Sequence, residues 1–290
     1  MGNYAAIDLG TNSCRLLVAS RKKTVLARDL QTTRLGEGLT ETGLLSEKSI
    51  RKTLQCLKQF KETMAHCGVK DYRIVATSAV RESANQEDFV RQVTKETGLK
   101  LDVITPEEEA YLSYRGVTEA LELAAPPLVV DLGGGSTEFM HYEGEDRYWI
   151  SLPVGAVRAT EANMTADELL RRLEPVIKLK DRFQNSPLVF VGGTATTAVA
   201  MKLGLREYRP ELVHGQVLVK SELADLYHMV KKMSLDLLRR LPGLQPERAD
   251  IIGQGLLIVY LIVDSLGKSE TIVSESDLLQ GIIGNLSDAG

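Results

Sequence analysis

The spacing of hydrophobic residues divides the first 105 positions into strands and helices. Short apolar runs between polar turns are typical of strands, whereas apolar residues that recur every three or four positions are typical of helices. In chain order, the pattern predicts three strands, a helix, a strand, a helix and a strand. These segments span residues 5–10, 14–20, 24–35, 46–68, 72–80, 86–98 and 100–104. This order indicates a mixed α/β domain of ordinary size.

A second α/β region follows and becomes mainly helical towards its end. Its predicted strands span residues 128–132, 138–144, 147–157 and 187–191, and its predicted helices span 165–183, 194–204, 221–233, 246–267 and 275–286. The segment Leu123–Pro127, which reads LAAPP, separates the two regions. The sequence therefore predicts two domains, residues 1–124 and residues 125–290.

The helix before this boundary begins with a capping-box pattern. Thr105 is the predicted N-cap, Pro106 takes the first helical position and Glu108 the third, where a glutamate side chain can bond back to the N-cap. Glu109 lies about 100° further round the helix and is not used by such a box. We therefore predict a structural role for Glu108 and none of this kind for Glu109.

One short motif occurs twice. Asp8–Ser13 aligns with Asp131–Ser136, and each copy places an aspartate at the end of a strand, before a polar turn that contains glycine. Glycine lets backbone N–H groups approach a phosphate closely, and neighbouring hydroxyl groups can add donors. A third turn, Gly192–Thr194, stands between a strand and a helix, whose N-terminus favours an anion. The recurrence predicts phosphate-binding turns in both halves, facing one another across a cleft.

Composition narrows the class of protein. The 290-residue chain is 43% hydrophobic and 26% charged, and no apolar run approaches the roughly 20 residues of a membrane span. Because the N-terminus carries no signal-peptide pattern, we expect a soluble cytoplasmic protein. The net charge of -4 and the pI near 5.7 disfavour a nucleic-acid binder. The three cysteines and four histidines lack metal-ligand spacing, so neither a disulfide framework nor a zinc site is predicted.

Two α/β domains with phosphate turns in each resemble the superfamily of actin, sugar kinases and heat-shock ATPases, whose duplicated ribonuclease H-like domains bind a ligand in an interdomain cleft. Within that superfamily, the chain is most similar to the exopolyphosphatase and guanosine pentaphosphate phosphohydrolase family. Seven motifs occur in the family's order along nearly the whole chain. They are AAIDLGTNSCRLLV, ATSAVRES, ITPEEEAYLSYRGV, VVDLGGGSTEF, VGGT, VHG and LPGLQPERADII.

The resemblance implies hydrolysis of a terminal phosphoanhydride bond with a divalent metal, magnesium or manganese. The family's catalytic carboxylate falls on Glu109, which would orient and deprotonate the attacking water, and its phosphate-contacting arginine falls on Arg81. Asp131 and Glu138 flank the triple-glycine turn and are candidate metal ligands, and Asp8 is the corresponding acid of the first turn. The other predicted phosphate-binding residues are Asn12, Ser13, Gly133, Gly134, Gly135, Ser136, Thr137, Gly193 and Thr194.

The predicted substrate is inorganic polyphosphate, and guanosine pentaphosphate (pppGpp) is a second candidate. The resemblance also indicates a homodimer, for which the apolar stretch GLLIVYLIV could form the interface; a buried core helix explains the same stretch equally well. Two rival functions stay open. A small-molecule kinase of the same superfamily would hold ATP with equivalent turns, and a regulatory binding module would hold polyphosphate or pppGpp without turnover.

Overall fold

The computed structural model describes residues 2–289, which form two compact α/β units. The first unit comprises the residues up to Gly116 together with those from Leu278 onwards, and the second comprises Val117–Asp277. The first contains a five-stranded sheet and the second a six-stranded sheet. Within residues 2–289, no helix is both long enough and apolar enough to cross a membrane.

The first unit begins with five strands and five helices. The strands are β1 (Asn3–Leu9), β2 (Cys14–Ser20), β3 (Val25–Gln31), β4 (Val69–Ala76) and β5 (Asp102–Val103), and the helices are α1 (Leu39–Thr42), α2 (Glu47–His66), α3 (Ser78–Arg81), α4 (Gln86–Thr97) and α5 (Pro106–Thr118). The sheet order is β3-β2-β1-β4-β5. β1 is antiparallel to β2, whereas β1, β4 and β5 are parallel. The carboxyl ends of these three parallel strands therefore lie at one edge of the sheet.

Strand β1 is buried on both faces, which explains its continuous apolar run. Ala5 and Ile7 belong to the core that α2 and α4 close, whereas Tyr4 and Ala6 belong to a second core that includes Leu112 of α5. Successive side chains of a strand point to opposite faces. Asp8 therefore follows Tyr4 and Ala6 onto the face that α5 covers.

The second unit contains six strands, seven α-helices and two short 3₁₀ helices, Lys180–Phe183 and Pro246–Arg248. The strands are β6 (Leu128–Leu132), β7 (Thr137–Glu143), β8 (Asp146–Leu152), β9 (Leu188–Val191), β10 (Gln216–Val219) and β11 (Glu270–Val273), and the helices are α6 (Ala156–Glu161), α7 (Ala166–Ile177), α8 (Gly193–Lys202), α9 (Pro210–Val213), α10 (Lys220–Lys232), α11 (Leu235–Leu238) and α12 (Ile252–Ser265). The sheet order is β10-β11-β9-β6-β7-β8. β6, β9 and β11 are parallel, so their carboxyl ends share one edge.

Helix α12 forms the centre of the second unit's core. Its apolar residues, including Leu256, Ile258 and Val259, are buried, and the helix packs against α10, α6, α7 and α8. The stretch GLLIVYLIV is therefore a core helix of this unit, which is one of the two interpretations that its sequence allows.

The chain then returns to the first unit as helix α13 (Leu278–Ala289), which packs on the same face as α5. The two helices approach closely at Gly281, where a Cβ would lie 2.0 Å from the carbonyl oxygen of Leu112. Arg115 of α5 donates hydrogen bonds to Asn285 and Asp288 of α13. Packing with α5, rather than position in the sequence, thus determines the unit to which α13 belongs.

Several sequence-based boundaries differ from the structure. The predicted domains end and begin at residues 124 and 125, but the contacts divide the chain within α5 and assign α13 to the first unit. The predicted strand at 72–80 ends at Ala76 and continues as α3, because a short apolar run has no period that separates a strand from a helix. The C-terminal third is mainly helical, as predicted, and also contains the short strands β10 and β11.

Candidate active site

The two copies of the repeated motif fold into the same turn. The N–H of Gly10 donates to the carbonyl of Ser13 at 3.0 Å, and the N–H of Gly133 donates to the carbonyl of Ser136 at 3.0 Å. A Cβ on either glycine would lie 3.2 Å from that serine oxygen, which is a crowded contact. Each turn joins two antiparallel strands. The sequence repeat is therefore also a structural repeat.

Both turns contain consecutive backbone N–H groups that have no acceptor within residues 2–289. These groups belong to Thr11 and Asn12 in the first turn and to Gly134 and Gly135 in the second. Successive N–H groups at a turn form a concave surface that binds anions. The hydroxyl groups of the two serines that close the turns likewise make no hydrogen bond in the described part of the chain. Each turn can thus offer donors to a phosphate.

Asn12 adds a buried side-chain donor to the first turn. The residue is 8% exposed, and its Nδ2 has no hydrogen-bond partner among the described residues. Its carbonyl accepts the N–H of Arg34 at 2.9 Å, and the carbonyl of Thr11 accepts the N–H of Gly36 at 2.9 Å. A buried amide donor without a partner is unfavourable. An anion at this turn would satisfy this donor, and the phosphate contact of Asn12 stays a prediction.

Asp8 is engaged by an arginine. Arg15 lies directly opposite Asp8 in the pairing of β1 with β2, and its Nε and Nη2 donate to Oδ2 of Asp8 at 3.0 and 2.7 Å. Only 7% of the Asp8 side chain is exposed. Arg15 thus engages Oδ2 of Asp8 as a charge-assisted pair, and the role of Asp8 as a metal ligand stays a prediction.

Arg81 and Glu109, the two residues predicted to act at the reacting phosphate, form an ion pair. Arg81 ends α3, which follows β4, and Glu109 lies in the first turn of α5, which follows β5. Nη1 of Arg81 is 3.0 Å from Oε2 of Glu109 and also donates to the carbonyl of Ile104 at 3.0 Å. Both side chains are largely buried. Together with Asp8, Asn12 and the first turn, they lie at the carboxyl edge of the first sheet.

Glu108 has a different partner from the predicted one. Its N–H donates to Oγ1 of Thr105 at 3.2 Å, so Thr105 is the cap, but its carboxylate binds Nη2 of Arg73 at 2.6 Å. Although burial opposes the charge on Arg73, the hydrogen bonds and charges of Glu108 and Asp102 raise its pKa. The role of Glu108 is structural, as predicted, but it anchors α5 to β4 instead of completing a capping box.

The second turn is flanked by two acids. Asp131 lies directly opposite Glu138 in the pairing of β6 with β7, which puts their Cβ atoms roughly 5 Å apart. Glu138 is 1% exposed, and its Oε1 accepts a hydrogen bond from Ser151 at 2.7 Å. Magnesium binds through one or two carboxylates and completes its shell with waters and substrate phosphates. Within residues 2–289, no group of three or more His, Cys, Asp or Glu side chains that could hold a metal ion is found.

Gly155, at the start of α6, allows close packing against the second turn. A Cβ on Gly155 would lie 2.4 Å from the carbonyl of Gly134, and α6 begins there. The carbonyls of the turn accept the first N–H groups of α6 at 2.9 to 3.1 Å, and Nε of Arg158 donates to the carbonyl of Gly135 at 2.7 Å. The hydroxyl of Thr137 donates to the carbonyl of Val154. Because this hydroxyl already donates its proton within the fold, the geometry disfavours the predicted donation from the Thr137 hydroxyl to a phosphate.

The third turn lies beside the second. Gly192 has a φ of 95°, and a Cβ there would lie 2.6 Å from the carbonyl oxygen of Leu132 and 3.3 Å from Oδ1 of Asp131. Gly193 begins α8, and Thr194 packs against α12. The carboxyl edge of the second sheet therefore brings together Asp131, Glu138, the triple-glycine turn and the N-terminus of α8.

Arg248 is a further basic residue of this edge to which the sequence assigned no role. It is 7% exposed, and a Cβ on Gly193 would lie 1.7 Å from its Nη1. Gln245 accepts a hydrogen bond from its Nε at 3.0 Å. Its only sequence signal is its position in the family motif LPGLQPERADII. No local pattern connects that motif with VGGT, because the contact joins segments that are distant in sequence.

Comparison with known proteins agrees with this geometry. Residues 17–288 match the model of the Ppx/GppA phosphatase family. Exopolyphosphatase 2 of Mycobacterium tuberculosis is 33% identical over 307 residues, covering 96% of this chain and 96% of that protein. The bifunctional 3-dehydroquinate synthase/phosphatase of Fusobacterium nucleatum is 34% identical over 307 residues and covers 96% of this chain. The match includes only 46% of the Fusobacterium protein, so this chain spans about half the length of that relative.

Solved structures give the same result. The crystal structure of the Ppx/GppA family member from Aquifex aeolicus superimposes with a TM-score of 0.80 at 31% identity, covering 100% of this chain and 99% of that one. The predicted fold of two actin-like α/β domains is thereby confirmed. On the family model, the relatives and the shared fold, the chain belongs to the Ppx/GppA phosphatase family.

Proposed function

We propose that the protein is an exopolyphosphatase, which hydrolyses the terminal phosphoanhydride bond of inorganic polyphosphate and releases orthophosphate. The observation that carries this proposal is the repeated turn, which offers consecutive N–H donors in both units. A linear polyphosphate presents many equivalent anionic oxygens, so two equivalent anion-binding turns suit it. The name of the mycobacterial relative supports the same reaction.

In the proposed reaction, Glu109 orients a water molecule and accepts its proton. The water oxygen forms a new bond to the terminal phosphorus while the bond to the next bridging oxygen breaks, so that orthophosphate and a shortened chain result. Phosphoryl transfer depends mainly on positioning and on donors that stabilise the spreading charge. In the first unit, which carries Glu109, the donors would be Arg81, the amide of Asn12 and the N–H groups of the first turn.

A divalent cation, magnesium or manganese, supplies further positive charge to the phosphate oxygens when it is bound. Asp131 and Glu138 would hold it, directly or through water, because they are the acid pair opposite each other beside the second turn. Asp8 is less suited to this task because of its ion pair with Arg15.

We further propose that pppGpp is a second substrate. It ends in the same phosphoanhydride bond, and the donors described above recognise phosphate rather than a base or a sugar. A homodimer in the cytoplasm remains part of the proposal on the strength of the family resemblance, and light scattering of the purified protein would measure the oligomeric state.

Phosphate release by the purified protein tests this function. With magnesium and without an acceptor, polyphosphate and pppGpp should each yield orthophosphate, and a chelator should abolish the release. A kinase would need an acceptor molecule and ATP. A protein that binds either ligand but releases no phosphate from it would be a binding module, and the proposal would then be wrong.

A further inference from the structure

The Nη1 atom of the Arg81 guanidinium is hydrogen-bonded within the described part of the fold, whereas Nε and Nη2 are not. Nη1 holds both Glu109 and the carbonyl of Ile104. Nε and Nη2 make no hydrogen bond within residues 2–289, and 19% of the side chain is exposed. Arg81 therefore keeps two adjacent donors for a ligand while it holds the carboxylate.

We propose that Arg81 is a positioning residue for Glu109, which couples phosphate binding to the orientation of the catalytic base. Nη1 fixes the carboxylate, while Nε and Nη2 bind a phosphate oxygen of the substrate. A guanidinium is planar and rigid, so a phosphate that fixes one edge also fixes the plane and the position of Nη1. The carbonyl of Ile104 supplies a second fixed point. This inference rests on the proposed function, because it requires Glu109 to act on the attacking water.

A neighbouring pair provides the matched control. Arg73 binds Glu108 at 2.6 Å through Nη2 and Asp102 at 3.3 Å through Nε. This pair has the same chemistry and anchors the same turn of α5, but acids of the fold already occupy both edges of the guanidinium. Arg73 therefore stabilises α5 without an edge for phosphate, and its loss should affect folding more than turnover.

A double-mutant cycle tests the inference, with kcat and KM measured separately for phosphate release from polyphosphate. Arg81→Gln should lower kcat roughly 10- to 100-fold, because a misplaced base loses alignment with the water. It should also raise KM through the lost phosphate contact. In the Glu109→Gln background, the same change should raise KM by a similar factor but alter kcat by less than about 3-fold, because there is no base left to position.

Arg81→Lys separates charge from shape, since lysine keeps the charge but cannot hold two groups in one plane. The KM of Arg81→Lys should lie between the wild-type value and the higher value of Arg81→Gln. The kcat of Arg81→Lys should stay as low as that of Arg81→Gln. Circular dichroism and thermal melts check that each variant folds. Arg73→Gln should leave kcat within about 3-fold of the wild type and should combine additively with Glu109→Gln.

The inference is overturned if Arg81→Gln lowers kcat by the same factor with and without Glu109, because Arg81 would then act through phosphate alone. It is also overturned if Arg73→Gln reproduces the loss of coupling, because general anchoring of α5 would then explain it. Failure of the proposed function looks different: the wild type releases no phosphate, or Glu109→Gln is fully active.

Discussion

Opposite its aspartate, the first hairpin carries Arg15 and the second carries Glu138. The backbone of the two turns is the same, with one hydrogen bond of 3.0 Å closing each. The arginine neutralises Asp8, whereas the glutamate makes Asp131 part of an acid pair. One side chain on the partner strand thus distinguishes a turn whose aspartate faces a cation of the fold from a turn whose aspartate faces a second acid. The fold was duplicated, but the electrostatics of the two copies diverged.

The largest predicted effect is at Glu109, the proposed catalytic base, which lies in α5 and not in either hairpin. Glu109→Gln should lower turnover roughly 10²- to 10⁴-fold while substrate binding is retained, because the amide keeps the size of the side chain but removes its basicity. Glu108→Gln is the control. Glu108 is the neighbouring residue and pairs with Arg73, so this variant should keep nearly wild-type turnover. Steady-state phosphate release measures both. An inactive Glu108 variant beside an active Glu109 variant would place the base one residue earlier.

The second prediction addresses the acid pair directly. Asp131→Asn or Glu138→Gln should raise the magnesium concentration for half-maximal activity roughly 10- to 100-fold, since each removes one charge near the metal. Asp8→Asn should leave that concentration unchanged, because Arg15 rather than a cation from solution neutralises Asp8. Magnesium titrations of phosphate release test all three. An equal shift in the Asp8 variant would show that the two hairpins do not differ in this way.

The third prediction compares how tightly each turn is packed. Gly155→Ala brings a Cβ to within 2.4 Å of the backbone of Gly134, and backbone cannot move aside easily. The free energy of unfolding should fall by roughly 1–3 kcal/mol or more. Gly36→Ala meets Thr11 Cγ2 at 2.3 Å, a side-chain atom that can rotate, so its cost should stay below about 1.5 kcal/mol. Urea denaturation gives both values, and the opposite order would contradict this packing argument.

The smallest predicted effect concerns Asn12, whose equivalent in the second turn is Gly135. Asn12→Ala should raise KM about 5-fold, because one net hydrogen bond contributes about 1 kcal/mol. Stability should be unchanged or slightly higher, since the amide donor has no partner in the described part of the fold. A loss of stability without a change in KM would mean that the amide serves the fold and not the substrate.

Much of the fold could be predicted because its signals are local. The alternation of apolar runs and helical periods requires only neighbouring residues. The repeated turns were visible because aspartate, glycine and serine recur at fixed spacing. Glu109 was chosen through the family motif, and its ion pair with Arg81 had no sequence signal at all.

The features that could not be predicted depend on strand register or on distant contacts. The partners of Asp8 and Asp131 follow from the register of each hairpin, which is set only when the turn has formed. Arg248 meets Gly193 across a long separation in sequence. The hydroxyl of Thr137 looked like a phosphate donor, but the nearby carbonyl of Val154 takes its proton. Residue type indicated which side chains could bind phosphate or metal. Packing determined which of those side chains already have partners within the fold.

The position of α13 has a consequence for how the protein is made. The ribosome delivers the whole of the second unit before α13, yet α13 covers Tyr4 and Ala6 of the first strand. The second unit is continuous in the chain, so it can fold as it emerges. One apolar face of the first sheet, in contrast, stays uncovered until α13 has been made. Apolar surface exposed during synthesis attracts chaperones and promotes aggregation. Maturation of the unit that carries Glu109 and Arg81 therefore waits until α13 has been made.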